Sequence, residues 1–447
     1  MKFSCDKSIL AKSTDTVSKS INPNNPIEIL KNMKIEVSDK VVFTGSDSEI
    51  SIESELEAEV YEPGKILVDS RIFFDIVRNL PEGKVELFTS DNNELKIVCH
   101  SSKFNILYLS ADGYPETEKL EDGDNIRIYS KNLKEIIRNT AFAVSDDESR
   151  PILTGTYFEI SKSSLKAVSI DRSKLALINQ IIPETEFSNM SFVVSGKVLN
   201  DISKILKDDS AIVDIKIKDN NAMFSFDTFT IITRLLEGEF IDYKRIIPSQ
   251  TNLKLKINIK NFREMIERAS VIINYDNPKI PVILNIENSS INVGCISKFG
   301  DFNESIEVDM NGGELKIGVD SRLLLNSLKC VPDDFAYFEF TNEQGPFLIK
   351  PLEGSTYLYM GMPMKIKNQK EVKNMEFLKI NTPFIKLDQL LKFTGVSFDG
   401  AEAKYYIISG RVKVNGETET RRGRKLFEGD VVKLDDNTEF KVQNNVY

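Results

Sequence analysis

Short alternations of apolar and polar residues recur through most of the chain, as in Lys34-Ile35-Glu36-Val37 and over residues 211–218 and 280–286. A period of two predicts strands of a sheet covered on one face. Asp-Gly and Asn-Asn pairs and prolines punctuate the runs as turns. At three places the period changes. Ile66-Leu67-Val68 runs into Asp69-Ser70-Arg71-Ile72-Phe73-Phe74-Asp75-Ile76-Val77-Arg78, residues 192–194 run into 195–204, and residues 315–319 run into 320–329. In each, a capping-type residue precedes apolar positions three and four apart, which predicts a strand leading into an amphipathic helix. A second kind of helix is predicted to begin near Lys7, Lys131 and Lys260.

Arg71, Lys197 and Arg322 lie 126 and 125 residues apart, and Lys7, Lys131 and Lys260 lie 124 and 129 apart. A fixed period of this kind marks one structural unit used three times. Each unit is predicted to carry two helices on antiparallel sheet, the α+β class rather than a doubly wound fold. The expected boundaries are 1–121, 122–249 and 250–366.

The repeat also places charge. Arg71 and Arg78, Lys197 and Lys204, and Arg322 and Lys329 are pairs seven residues apart, two helical turns, so each pair shares a helix face. Solvated surface accounts for any one such helix. Six helices in register, each opening on a basic residue, also fit faces that line the hole of a closed oligomer. The formal net charge is −10, which opposes nucleic-acid binding unless the cations are gathered on one surface. Gathered around a hole, they would hold a rod of phosphates without reading its sequence.

Other chemistry is sparse. The 447 residues are 41% hydrophobic and 28% charged, an ordinary globular balance. No apolar run nears the roughly 20 residues of a membrane helix, and Met1-Lys2-Phe3-Ser4 opens no signal region, so a cytoplasmic protein with no membrane partner is expected. Cys5, Cys99, Cys295 and Cys330 fit no zinc spacing and read as buried thiols. His100 is the single histidine, at the end of the strand-like run 94–99, and reads as structural. Asp146, Asp147 and Glu148 read as an exposed turn rather than a metal site. With no phosphate-binding loop and no nucleophile beside a base, no catalysis, metal or cofactor is expected.

Several strings occur in a fixed order: Met1-Lys2-Phe3, Ser145-Asp146-Asp147-Glu148-Ser149-Arg150-Pro151-Ile152-Leu153-Thr154-Gly155, the 238–248 segment ending in Ile247-Pro248, Gly345-Pro346-Phe347-Leu348-Ile349, and Met362-Pro363-Met364-Lys365-Ile366. With the threefold repeat, residues 1–366 resemble the bacterial β sliding clamp, the beta subunit of DNA polymerase III. The resemblance implies a head-to-tail homodimeric ring around double-stranded DNA, a non-catalytic processivity factor. DNA polymerase and clamp loader would dock through short apolar peptides. It implies DNA contacts at Arg71, Arg150 and Lys197, to which the repeat adds Arg78, Lys204, Arg322 and Lys329. It implies a peptide cleft of Leu153, Leu175, Pro248, Pro346, Phe347, Met360, Met362, Pro363 and Met364, where the three alternating methionines equally suit a core strand. It implies a subunit contact of Phe104 with Val271 and Ile272. Two departures stand out: the cleft rim reads Ile170-Asp171-Arg172-Ser173-Lys174-Leu175, and the loop 21–26 lacks an Arg frequent in relatives.

Residues 367–375 read as a polar linker, and 376–447 as a separate unit with 12 Lys+Arg and 11 Asp+Glu. A strand over 376–381, helices over 385–393 and 401–408, and a strand ending at the turn Asn415-Gly416 are expected. The run Arg421-Arg422-Gly423-Arg424-Lys425 follows. This unit resembles an S4 domain of the YaaA type, which implies binding of structured RNA through Lys404, Arg411, Arg421, Arg422, Arg424 and Lys425. A charge run by itself reads as a solvated loop, but four basic residues in five within this frame favour RNA. A second reading of the whole chain is an RNA- or ribosome-binding protein built on a degenerate clamp. Because the linker leaves just after Met364, the S4 unit is expected to restrict approach to the groove.

Overall fold

A computed structural model describes residues 1–447 except 91, 118, 187–188, 208, 276–279, 298, 367–374, 398, 435–438 and 445–447. The expected linker thus falls almost wholly outside the described residues. The chain divides into two compact units, one of Met1–Val271, Val282–Gly294 and Asn303–Met364, the other of Ile272–Pro281, Cys295–Phe302 and Lys365–Tyr447.

Among the described residues, six α-helices appear in the repeats, two per repeat as the periodicity predicts: α1 (Lys7–Ser18), α2 (Ser70–Asn79), α3 (Ser130–Thr140), α4 (Gly196–Ile205), α5 (Ile259–Tyr275) and α6 (Ser321–Cys330). Asp69 and Asp320 cap α2 and α6, accepting hydrogen bonds from first-turn backbone N–H groups that would otherwise lack partners. The apolar stripe of each helix is buried: Phe73 and Val77 on α2, Leu199 and Ile202 on α4, Leu324 and Leu328 on α6. Burial of each such side chain is worth about 1.5–3 kcal/mol. Edge-to-face contacts of Phe43 with Phe3 at 6.5 Å and with Phe73 at 5.9 Å tie α2 to the first sheet.

The repeats do more than abut. The strand Phe229–Arg234 pairs antiparallel with Ile50–Leu56, Ile231 opposite Ile52, and joins the first two repeats in a 13-stranded sheet. The strand Lys174–Ile181 pairs antiparallel with Tyr357–Gly361 and joins the second and third in a nine-stranded sheet. A four-stranded sheet completes the third repeat, with Gly300–Glu307 on its edge. Backbone hydrogen bonds therefore cross both repeat boundaries.

The four cysteines are buried free thiols, as expected. Burial pushes Cys5 up to about 12 and Cys330 up to about 11. His100 occupies a left-handed turn (φ 50°) and its ring lies 2.9 Å from the Glu82 carbonyl.

In the C-terminal unit, five strands run in the order Met375–Ile380, Glu439–Asn444, Val431–Leu434, Val412–Val414 and Glu417–Thr418, the first pair parallel. Two helices, α7 (Leu387–Phe393) and α8 (Gly400–Ile408), bury Leu387, Leu390, Leu391, Ala403 and Ile407 in its core. Asn415 and Gly416 both have positive φ, 54° and 91°, the geometry of a tight hairpin turn. Helix α7 starts two residues later than the sequence predicts. Ile385 and Lys386 instead pair as a short strand with Leu426 and Lys425.

Candidate DNA-facing helices, partner cleft and basic loop

Arg71 and Arg78 project from α2, Lys197 and Lys204 from α4, Arg322 and Lys329 from α6, all exposed, while the apolar stripes face the sheets. Arg150 is exposed just before the short helical turn Pro151–Thr154. The six helical positions are not electrostatically alike. Arg71, Arg78, Arg322 and Lys329 have no ion pair among the described residues. Lys197 Nζ lies 3.4 Å from Asp47, in the turn between two strands of the first repeat, and Lys204 lies 2.8 Å from Asp201. On the first helix of the first and third repeats, Lys12 of α1 meets Asp227 at 3.6 Å, and Arg268 of α5 is held by both oxygens of Glu304 at 2.6 and 2.8 Å. The basic faces exist, but several of their cations are partly neutralised.

Leu153, Leu175 and Met360 meet in one buried cluster with Val168, Ile170, Leu177, Tyr243 and Leu348. It sits on the joint between the second and third repeats: Leu175 is opposite Met360, and Met360 opposite Leu348. The segment leading to Pro248 is pinned against it, with Phe240 stacked on Tyr157 at 4.8 Å and the Tyr243 hydroxyl donating to Glu159 at 2.9 Å. Pro248, Pro346, Pro363 and Met364 are half-buried. Two expectations are corrected. Met360, Met362 and Met364 do not alternate along one strand. The strand ends at Gly361, leaving Met360 4% and Met362 37% exposed, while the Met364 amide turns to the Gly318 carbonyl at 2.8 Å. Phe347 is not in the cluster. Its ring lies over Gly361, with Leu323 of α6 beside them, and the adjacent Leu348 takes the cluster side, because successive side chains alternate faces. A Cβ at Gly361 would fall against the Phe347 ring, so a larger residue there requires that ring to move.

At the altered rim, Arg172 donates to Asp147 at 2.8 Å, and Asp147 also accepts from the Ser149 amide. Hydrogen bonds from Ser149 chiefly, and the charges of Arg172 and Arg150, hold the Asp147 carboxyl below its ordinary range. The acidic triplet is thus a structured turn, and among the described residues no group of carboxylates, cysteines or histidines suits a metal.

Phe104 lies on the strand Ser102–Ser110, which pairs with Glu94–Cys99 along its first part and with Gly64–Asp69 only at Tyr108 to Ser110. Phe104 and Leu107 are exposed there. On α5, Val271 is exposed and Ile272 half-buried.

The basic loop of the C-terminal unit is built around Glu419, 8% exposed. Its carboxylate accepts from the Arg421 amide and from Arg421 Nε and Nη2 at 2.8–2.9 Å, with Arg424 at 3.9 Å. Those hydrogen bonds hold Glu419 down to about 2. The Arg422 and Arg424 carbonyls accept from the Asp388 and Leu387 amides, which completes the start of α7. Lys425 lies over Phe384 and Arg411 over Tyr406, both at 4.2 Å. Lys404 and Arg422 are exposed, as are Tyr405 and Ile408 on α8.

Comparison with known proteins agrees with this architecture. Residues 1–118, 127–242 and 244–365 match the N-terminal, central and C-terminal domains of the DNA polymerase III beta subunit, and residues 378–443 match the S4 domain. The beta sliding clamp of Bacillus subtilis is 33% identical over 376 residues, covering 82% of this chain and all of that one. That of Halalkalibacterium halodurans is 31% identical over 380 residues, with the same coverage. The crystal structure of the Bacillus subtilis sliding clamp superposes with a TM-score of 0.78 at 33% identity, and the Streptococcus pneumoniae beta chain with 0.77 at 27%, each covering 82% of this chain and 100% of its own. The chain therefore belongs to the DNA polymerase III beta subunit family, the beta sliding clamps, and carries an S4 domain beyond its three clamp domains.

Proposed function

We propose that this clamp encircles duplex DNA as a head-to-tail homodimer and tethers the replicative polymerase, without itself catalysing a reaction. The observation that carries the reading is the threefold set of helices whose apolar stripes are buried in shared sheets while their cations project outward. Arg71, Arg78, Arg150, Arg322 and Lys329 are the principal phosphate contacts. Lys197 and Lys204 contribute less, because each already faces a carboxylate. The domains divide at 121, 249 and 366. Ring closure buries Phe104 against the partner's Val271 and Ile272, and the incompletely paired strand Ser102–Ser110 is the edge that meets the partner.

Partner peptides, from polymerase and clamp loader, occupy the cluster around Leu153, Leu175 and Met360. Pro248, Pro346, Met362, Pro363 and Met364 form its accessible rim, and Met362 adapts to different side chains. Phe347 supports this site from the opposite sheet face. The S4 domain binds structured RNA through Lys404, Arg411, Arg422, Arg424 and Lys425, with Tyr405 offered for stacking. Arg421 is reserved for Glu419 and orders the loop.

Primer extension on a long single-stranded template tests the reading. With cognate polymerase and loader, the chain should lengthen products from one binding event. Unchanged product length, with the loader shown active, would favour the RNA-binding scaffold.

A further inference from the structure

The sheet face that carries the cleft continues past it. Across the nine-stranded sheet, Ile170, Leu175, Met360 and Leu348 stand opposite one another in one row, and Glu339 and Lys254 extend that row. The neighbouring row runs Val168, Leu177 and Leu358. Leu177 and Leu358 belong to the apolar cluster and its packing layer, and they also line a depression of about 540 Å³. The charged residues lining that depression are Lys166, Lys254, Lys350 and Glu339. Glu339 is nearly buried and saturated: Lys350 lies 2.7 Å and Lys254 3.6 Å from it. Glu339 is the carboxylate among the lining residues, and Glu159 lies 3.9 Å from Lys166 and 3.2 Å from Lys244, so four ammonium groups face two carboxylates and the shelf stays net positive on a chain of net charge −10. Each ammonium has three donors, so the two carboxylates cannot satisfy them. The Asn179 side-chain oxygen, also at the depression, is buried and has no hydrogen-bond partner among the described residues.

We propose that this shelf is a second compartment of the partner site, and that it receives an acidic stretch flanking the apolar motif of a partner peptide. The inference rests on the cleft reading above. A protein ligand is the occupant because the shelf is continuous with an apolar surface: one peptide spans both, its hydrophobic residues against Leu358 and the rim of Pro248, Met362 and Pro363, with Leu175 and Met360 buried beneath, and its carboxylates over Lys166, Lys254 and Lys350. The shelf lies on the sheet face opposite that bearing Phe347, whose ring has Leu323 of α6 beside it.

The test is fluorescence anisotropy with the full chain and three kinds of labelled peptide: a Gln/Leu/Phe apolar motif, the motif extended at one end or the other through two glycines by three glutamates, and the same extended by three glutamines. The glutamate extension at one end should tighten binding about fivefold at low salt, the gain fading as salt rises. The glutamine extension should not. In the Lys166→Gln, Lys254→Gln double variant, which leaves the Lys350–Glu339 pair in place, the gain should vanish while the plain motif binds as before. Equal affinity for all three peptides would overturn the shelf and leave the cleft standing. Failure of the plain motif to bind would overturn the cleft and the shelf with it. Displacement of the glutamate peptide by an oligonucleotide that leaves the plain motif bound would assign the shelf to nucleic acid and overturn the proposal.

Discussion

Lys197 and Arg71 occupy the same place in the repeat but not the same electrostatic situation. Lys197 shares its charge with Asp47, 150 residues earlier, whereas Arg71 is unpaired among the described residues. Arg71→Ala and Arg322→Ala should each weaken duplex binding and reduce the salt slope by about one. Lys197→Ala should do less, and Asp47→Asn should strengthen binding; titration at several salt concentrations checks all four. The cleft separates stability from binding in a similar way. Leu175 is fully buried, so Leu175→Ala should cost about 2–5 kcal/mol in denaturant unfolding. Met362 is 37% exposed, and Met362→Ala should cost under about 1 kcal/mol while still weakening peptide binding. Glu419 adds a pH dependence. Its folded value, about 2, lies below the ordinary ~4.3, so its stabilising contribution is complete above ~4.3 and lost as pH falls toward 2. Glu419→Gln should destabilise the S4 domain at neutral pH and flatten its stability profile below about pH 4, measured by denaturation across that range.

At the scale of elements, the helices were legible because each announces itself locally, through a 3.6-residue stripe and a return every 125 or so residues. The S4 hairpin was legible for the same reason: Asn415-Gly416 is a local signal. Strand partners were not. The joint between Phe229–Arg234 and Ile50–Leu56 links residues roughly 180 apart, and alternation does not say which strand a strand will meet. The strand end at Gly361 and the face taken by Phe347 were not legible for a related reason. Phe347-Leu348-Ile349 is buried on both faces, so no polar position reveals which residue faces the cleft. Nor could spacing disclose that Asp47 and Glu304 would sit beside the helical cations, whereas Asp201, three residues before Lys204 on α4, is a local neighbour.

At the scale of the whole molecule, the proposed function depends on ring closure. A clamp holds DNA by topology, so moderate attraction at the basic faces suffices, and tighter binding would hinder sliding. An interface of exposed apolar residues and an incompletely paired strand suits such closure. Phe104→Asp should shift sedimentation equilibrium toward monomer by placing a charge in the apolar contact, and unchanged association would place the subunit contact elsewhere. The central claim is tested most directly by loading the chain onto nicked circular DNA with a cognate loader, then following co-elution with DNA on gel filtration before and after the circle is cut. Encirclement predicts retention on the circle and release from the linear form. Equal retention on both, or on neither with an active loader, would contradict it.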